Sequence, residues 1–216
     1  MRNQTSIQES GVARALEANL KAKGFDWLPQ LHQFRRSTAK GFNCLILSSS
    51  PASTGSILEA HLGLRLDAVE NLAFPFTNGL PGFQPDSMTV VTPIARLYQQ
   101  RFQRLPIRDT KDQQAAAGLF LKQLEEAGLP FLEKYNDLQT LHALFNDTPD
   151  HPLSLVHNQI NRCFRGVVLA RLAQSPRLPE LINQYRSYLR QRLYAPDQTL
   201  DKFQRLCHFL EHYSMN

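Results

Sequence analysis

The stretch Ser56–Asn71 reads SILEAHLGLRLDAVEN, and whether it forms a helix or a strand decides the fold of this chain. Its residue types are good helix formers, yet Leu58, Ala60, Leu62, Leu64, Leu66 and Ala68 fall on every second position. That period matches a strand, in which alternate side chains point to opposite faces, with Glu59, His61, Gly63, Arg65 and Asp67 on the wetter side. The neighbouring sequence favours the same choice. Two further strand-length runs precede it, QLHQFRRS (Gln30–Ser37) and GFNCLILSS (Gly41–Ser49), with the turn compositions TAKG and PASTG between them. The reading is therefore a strand over residues 56–70 that buries Leu58, Leu62, Leu64 and Leu66.

A fourth run, SMTVVTPIARLY (Ser87–Tyr98), contains Pro93, which cannot donate to a ladder and so belongs at a sheet edge or bulge. Helical periodicity frames these strands. Val12, Leu16 and Leu20 mark an opening helix over roughly residues 7–23 that Gly24 stops. Thr110 and Gln113 form a capping box for a helix expected to end at Gly128 and Pro130, and Asp137 caps a short one. Apolar stripes around Cys163, Tyr185 and Phe203 mark the rest. The fold class read from this order is α+β: an N-terminal helix, an antiparallel sheet of about four strands, then about five C-terminal helices. The expectation is a single domain, residues 1–216, with a helical part (109–216) packed on the helix and sheet of residues 1–108.

At 216 residues and 42% hydrophobic, the chain can bury an ordinary core. It has no apolar run long enough to span a bilayer and opens without a signal-peptide pattern, so the expectation is a cytoplasmic protein with no membrane partner. Cys44, Cys163 and Cys207 are far apart in apolar company, which reads as reduced core thiols. The net charge of +5 is unevenly placed. Residues 160–195 hold Arg162, Arg165, Arg171, Arg177, Arg186, Arg190 and Arg192 against Glu180 alone. Arginine suits phosphate or carboxylate partners because its planar fork donates two hydrogen bonds at once.

Signals of catalysis are sparse. SSSPASTGS (Ser48–Ser56) lacks the GxxxxGK pattern of a phosphate loop, and GxSxG is absent. His208 and His212 are four apart on one helix, but without HExxH or an indicated third ligand they read as surface histidines. No catalytic residue, cofactor or metal is assigned. Two stretches have the composition of a recognition surface. The Pro/Gly-rich NLAFPFTNGLPGFQPDS (Asn71–Ser87) carries Phe74, Phe76 and Phe83, which fold back as a lid or meet a partner. Arg162 with Arg165, and Arg186 with Arg190, each share a helix flank that can face solvent.

The segments LKAKGF (Leu20–Phe25), HQFRR (His32–Arg36), HLGLRL (His61–Leu66) and EEAGLPFLEKYNDLQTL (Glu125–Leu141) together resemble a family of bacterial α+β domains of unknown function. Some members are encoded beside polymorphic toxins and are taken to be immunity proteins. The resemblance covers roughly residues 8–145 and brings no catalytic residues with it. It implies a toxin as protein partner. Three functional readings follow from the sequence: a non-enzymatic protein-binding module, an immunity-type inhibitor among its forms; a nucleic-acid-associated protein using the arginine-bearing helices; and an enzyme of unknown type. Phe74, Phe76, Phe83, Arg162, Arg165, Arg186 and Arg190 are the residues assigned to a partner.

Overall fold

The structure, a computed structural model, describes residues 2–98 and 103–214, with the backbone alone at 2–8 and 81. In chain order its elements are α1 (Arg2–Lys21), β1 (Asp26–Leu28), β2 (Gln33–Thr38), β3 (Gly41–Pro51), β4 (Ser56–Leu66), α2 (Asp67–Ala73), β5 (Val90–Pro93), β6 (Leu105–Ile107), α3 (Thr110–Gln123), α4 (Leu129–Tyr135), α5 (Leu138–Asn146), α6 (Gln159–Leu172), α7 (Leu178–Gln191) and α8 (Asp197–His212). The chain divides into two compact units, one of residues 1–64 and 90–133, the other of residues 65–89 and 134–216.

In the first unit the α+β reading holds. The sheet runs β1-β2-β3-β4-β5, with β6 also pairing β4. Among the described residues six strands build it where about four were expected, because β1 and β6 are three-residue segments with no periodic signature. The opening stretch is a strand whose Leu58, Leu62, Leu64 and Leu66 are at most 3% exposed. It stops at Leu66 rather than residue 70. The Leu66 N–H is taken by the Thr89 hydroxyl at 3.0 Å, and Asp67 opens α2, so Ala68 leaves the alternation. Pro93 ends the edge strand β5, where its missing N–H breaks no ladder.

Two helix signals resolve differently from their sequence reading. Asp109, not Thr110, caps α3 by accepting the Asp112 N–H at 2.9 Å. Gly128 and Pro130 do not end the helix. A π turn over Leu124–Gly128, closed by the Leu129 N–H on the Leu124 carbonyl, carries the chain into α4. The wider turn makes room for Pro130, which could not close an ordinary helical bond. Gly128 sits close to neighbouring side chains, since a Cβ there would lie 2.9 Å from Leu124 Cδ1 and 3.0 Å from Leu62 Cδ1.

A polar strut joins three elements of the same unit. The buried Glu9 carboxylate of α1 takes His32 Nδ1 at 2.5 Å on one oxygen and the Ser49 hydroxyl at 2.6 Å on the other. His32 holds this position with φ of 52°, in the left-handed region.

The second unit is built on α6, whose residues 162–170 are all buried. Gly166 lets Tyr185 of α7 approach, because a Cβ would stand 2.5 Å from the Tyr185 hydroxyl oxygen. That hydroxyl donates within a network to the Phe145 carbonyl at 2.7 Å and Asn146 Oδ1 at 2.9 Å. On α8, Phe203 packs edge-on against Phe164 of α6, with ring centroids 5.3 Å apart.

Candidate functional site

The arginine-rich segment is largely spent inside the fold. Arg162 is 1% exposed and donates to the carbonyls of Phe145 at 3.1 Å, Thr148 at 3.0 Å and His151. Its guanidinium also stacks over Tyr185 and Tyr188. Arg165 forms a fork on Glu70, Nε to Oε1 at 2.7 Å and Nη2 to Oε2 at 2.9 Å. Burial alone would raise the Glu70 carboxyl. The Arg165 guanidinium, with hydrogen bonds from Arg165, Ser87 and Thr89, outweighs it and holds the carboxyl below its ordinary range. Arg171 donates to the Tyr213 carbonyl and Arg177 pairs with Glu180. The expected solvent flank of Arg162 and Arg165 is therefore corrected: both side chains turn inward, because this face of α6 is packed and each guanidinium finds acceptors there. Arg186 and Arg190 of α7 do face solvent, along with Arg192.

The Pro/Gly-rich segment is tied to the end of β4. Arg65, at the end of β4 and 4% exposed, donates to Asp67 Oδ1 at 2.5 Å, the Gln84 carbonyl at 2.7 Å and the Ser87 carbonyl at 2.9 Å. This guanidinium pins the segment from beneath. The three phenylalanines then part company. Phe74 is buried over Gly79, a position that leaves it little surface for a partner. Phe83 is 61% exposed beside the exposed Leu80. Phe76 is half-buried and lies 5.7 Å, centroid to centroid, from Phe209 of α8, which stands 5.7 Å from Tyr213.

These rings form one wall of a groove of about 1190 Å³ lined by Phe76, Asp201, Gln204, Arg205, His208, Phe209, His212 and Tyr213. Two elements position it. The buried stripe of α8, Thr199, Phe203, Leu206, Cys207 and Leu210, turns its opposite side outward, and the Lys202 ammonium holds Asn78 Oδ1 at 2.6 Å near the turn that carries Phe76. Phe209 keeps 40% of its surface exposed, a large ring left open in a groove. The cationic Arg205 lines the same groove.

Sequence reading named Phe76 but missed Phe209 and Tyr213. The available signal was Phe209 itself, which at 100° per residue falls at the edge of the stripe of Phe203, Leu206, Cys207 and Leu210, where a large ring is only partly covered.

The cysteines and the Glu9 strut offer little nucleophilic character. Burial is the main cause that pushes the Cys163 and Cys207 thiols up to about 12. All three cysteines are buried and unbridged. In the His32–Glu9–Ser49 strut the carboxylate stands between the other two groups, so the imidazole is not in position to take the serine proton. No helix among the described residues is long and apolar enough to cross a membrane. Set against known family models, curated proteins and solved structures, the chain matches none.

Proposed function

We propose that this protein is a non-enzymatic protein-binding module that works through the groove of Phe76, Phe209 and Tyr213. The observation that carries the reading is a set of three neighbouring rings, one of them 40% exposed, in a groove bordered by a cation. Aromatic side chains supply much contact area at low entropic cost and dominate protein interfaces as anchors. Arg205 in the groove, one turn from Asp201, favours a partner segment that sets an acidic residue beside its apolar ones. The resemblance to proteins encoded beside toxins makes a bacterial toxin the first partner to try.

The nucleic-acid reading draws on the same segment with less support. Five of its seven arginines have acceptors within the fold: Arg162, Arg165, Arg171 and Arg177, and Arg186, whose exposed guanidinium donates to Asn183 Oδ1 at 3.3 Å on its own helix. A continuous strip of phosphate-binding forks therefore has only the exposed Arg186, Arg190 and Arg192 to draw on.

A photoreactive amino acid at position 209, expressed in the native host, separates the readings. The proposal expects a crosslink to a protein segment rich in apolar and acidic residues. A control probe at the exposed Lys122 is expected to give no such product. Equal crosslinking from both positions, or oligonucleotide binding that weakens between about 50 and 200 mM salt and is lost in an Arg186→Glu, Arg190→Glu variant, overturns it.

A further inference from the structure

The last turn of α8 carries His208, Glu211 and His212, spaced His-x-x-Glu-His. This order is the reverse of HExxH. Residues three and four apart share one helix face, so the order of the carboxylate and the second imidazole matters less than their spacing. One ligand atom from each of the three side chains can be chosen such that all lie within 4.8 Å of one another. The two imidazole centroids are 4.8 Å apart, and His208 Nδ1 is 3.6 Å from Glu211 Oε2.

We infer that this cluster is a binding site for a late first-row divalent cation, zinc or copper, held by the two imidazoles and the Glu211 carboxylate. Three observations carry the inference. The donor set is the borderline nitrogen and hard oxygen mixture that zinc and copper accept, and it lacks the several oxygens that calcium and magnesium require. The geometry is within reach. Bonds of about 2.0–2.1 Å in a tetrahedron place ligand atoms about 3.3 Å apart, so the present spacing closes by side-chain rotation alone. His208 and Glu211 are free to rotate, with 74% and 59% of their side chains exposed. The site also lies at a helix C-terminus, where unpaired carbonyls carry partial negative charge and favour a cation.

Three protein ligands leave the fourth tetrahedral position open to water. His208 and His212 line the groove described above, so a bound cation there faces it. Nothing in this inference requires the docking proposal. The cluster binds metal or fails to whether or not a protein occupies the groove.

The experiment is a calorimetric titration of the purified chain with zinc ions and, separately, copper ions, in a non-chelating buffer at neutral pH and again near pH 5. The site predicts saturable binding of one ion per chain at neutral pH, tighter for copper, and much weaker binding at pH 5 because protons compete for the imidazoles. His208→Ala or His212→Ala is expected to lose at least the roughly tenfold that removal of a mere supporting residue typically costs. Glu211→Gln is expected to weaken binding by a smaller factor, and His32→Ala to leave it unchanged. All three cluster residues are exposed, so circular dichroism of the variants is expected to match the parent. Absence of saturable binding, or binding undiminished by His208→Ala and His212→Ala, overturns the inference.

Discussion

Arg165 and Glu70 are 95 residues apart in the chain and meet as a two-bond fork, with the carboxylate fully buried and the guanidinium side chain 10% exposed. The pair fastens α2 to α6 within one unit. Removing one partner strands the other as a buried charge, so Arg165→Met or Glu70→Ala is expected to cost about 3–5 kcal/mol. Replacing both with apolar residues is expected to cost less than the sum, a coupling that chemical denaturation of the four variants measures. The same pair predicts acid sensitivity. The Glu70 carboxyl in the folded state titrates below its ordinary 4.5, so its stabilisation is present above that value and is lost as pH falls through the lowered pKa. Unfolding followed below pH 4.5 is expected to show a loss of stability that Glu70→Gln does not show.

Leu64 lies at 0% exposure on β4, opposite Val90 in the ladder. Leu64→Asp places an unpaired charge in that core and is expected to cost several kcal/mol. A melting temperature equal to the parent's, read by calorimetry, contradicts the buried face.

Tyr194 follows α7 with φ of 47° and 84% of its surface exposed. A non-glycine residue in the left-handed region is strained by about 1–2 kcal/mol, and the exposed ring recovers little of this by packing. Tyr194→Gly is expected to raise stability, by less than that strain because glycine adds entropy to the unfolded chain. Circular-dichroism melts of the two proteins decide the sign.

The sheet was legible where β4 is half-buried, since residues 56–61 alternate between buried side chains and the partly exposed Glu59 and His61. The expected wetter side ends there, because from Leu62 to Leu66 both faces are buried, Gly63 and Arg65 included. The short strands β1 and β6 were not legible, since three residues carry no period. The π turn escaped because Gly128 and Pro130 are stop signals by local chemistry, and the widened turn closed by the Leu129 N–H on the Leu124 carbonyl leaves no mark in the sequence. The arginines misled for a related reason. Spacing on α6 reveals which residues share a flank but not that Glu70 and three carbonyls wait on that flank. The aromatic groove was half legible: Phe76 stood out by its setting, whereas its pairing with Phe209 joins residues 133 positions apart and exists only in the folded chain.

The central claim is that Phe76 and Phe209 serve a partner more than they serve the fold. The measurement that tests it most directly is the affinity of a Phe76→Ala, Phe209→Ala double variant for the protein crosslinked at position 209, with the melting temperature taken on the same sample. Truncation of interface anchors costs about 2 kcal/mol or more each. The expected loss of affinity is at least about thirtyfold, equivalent to about 2 kcal/mol, with a melting temperature within a few degrees of the parent. Unchanged affinity, or a collapse of thermal stability with no separate loss of binding, would contradict it.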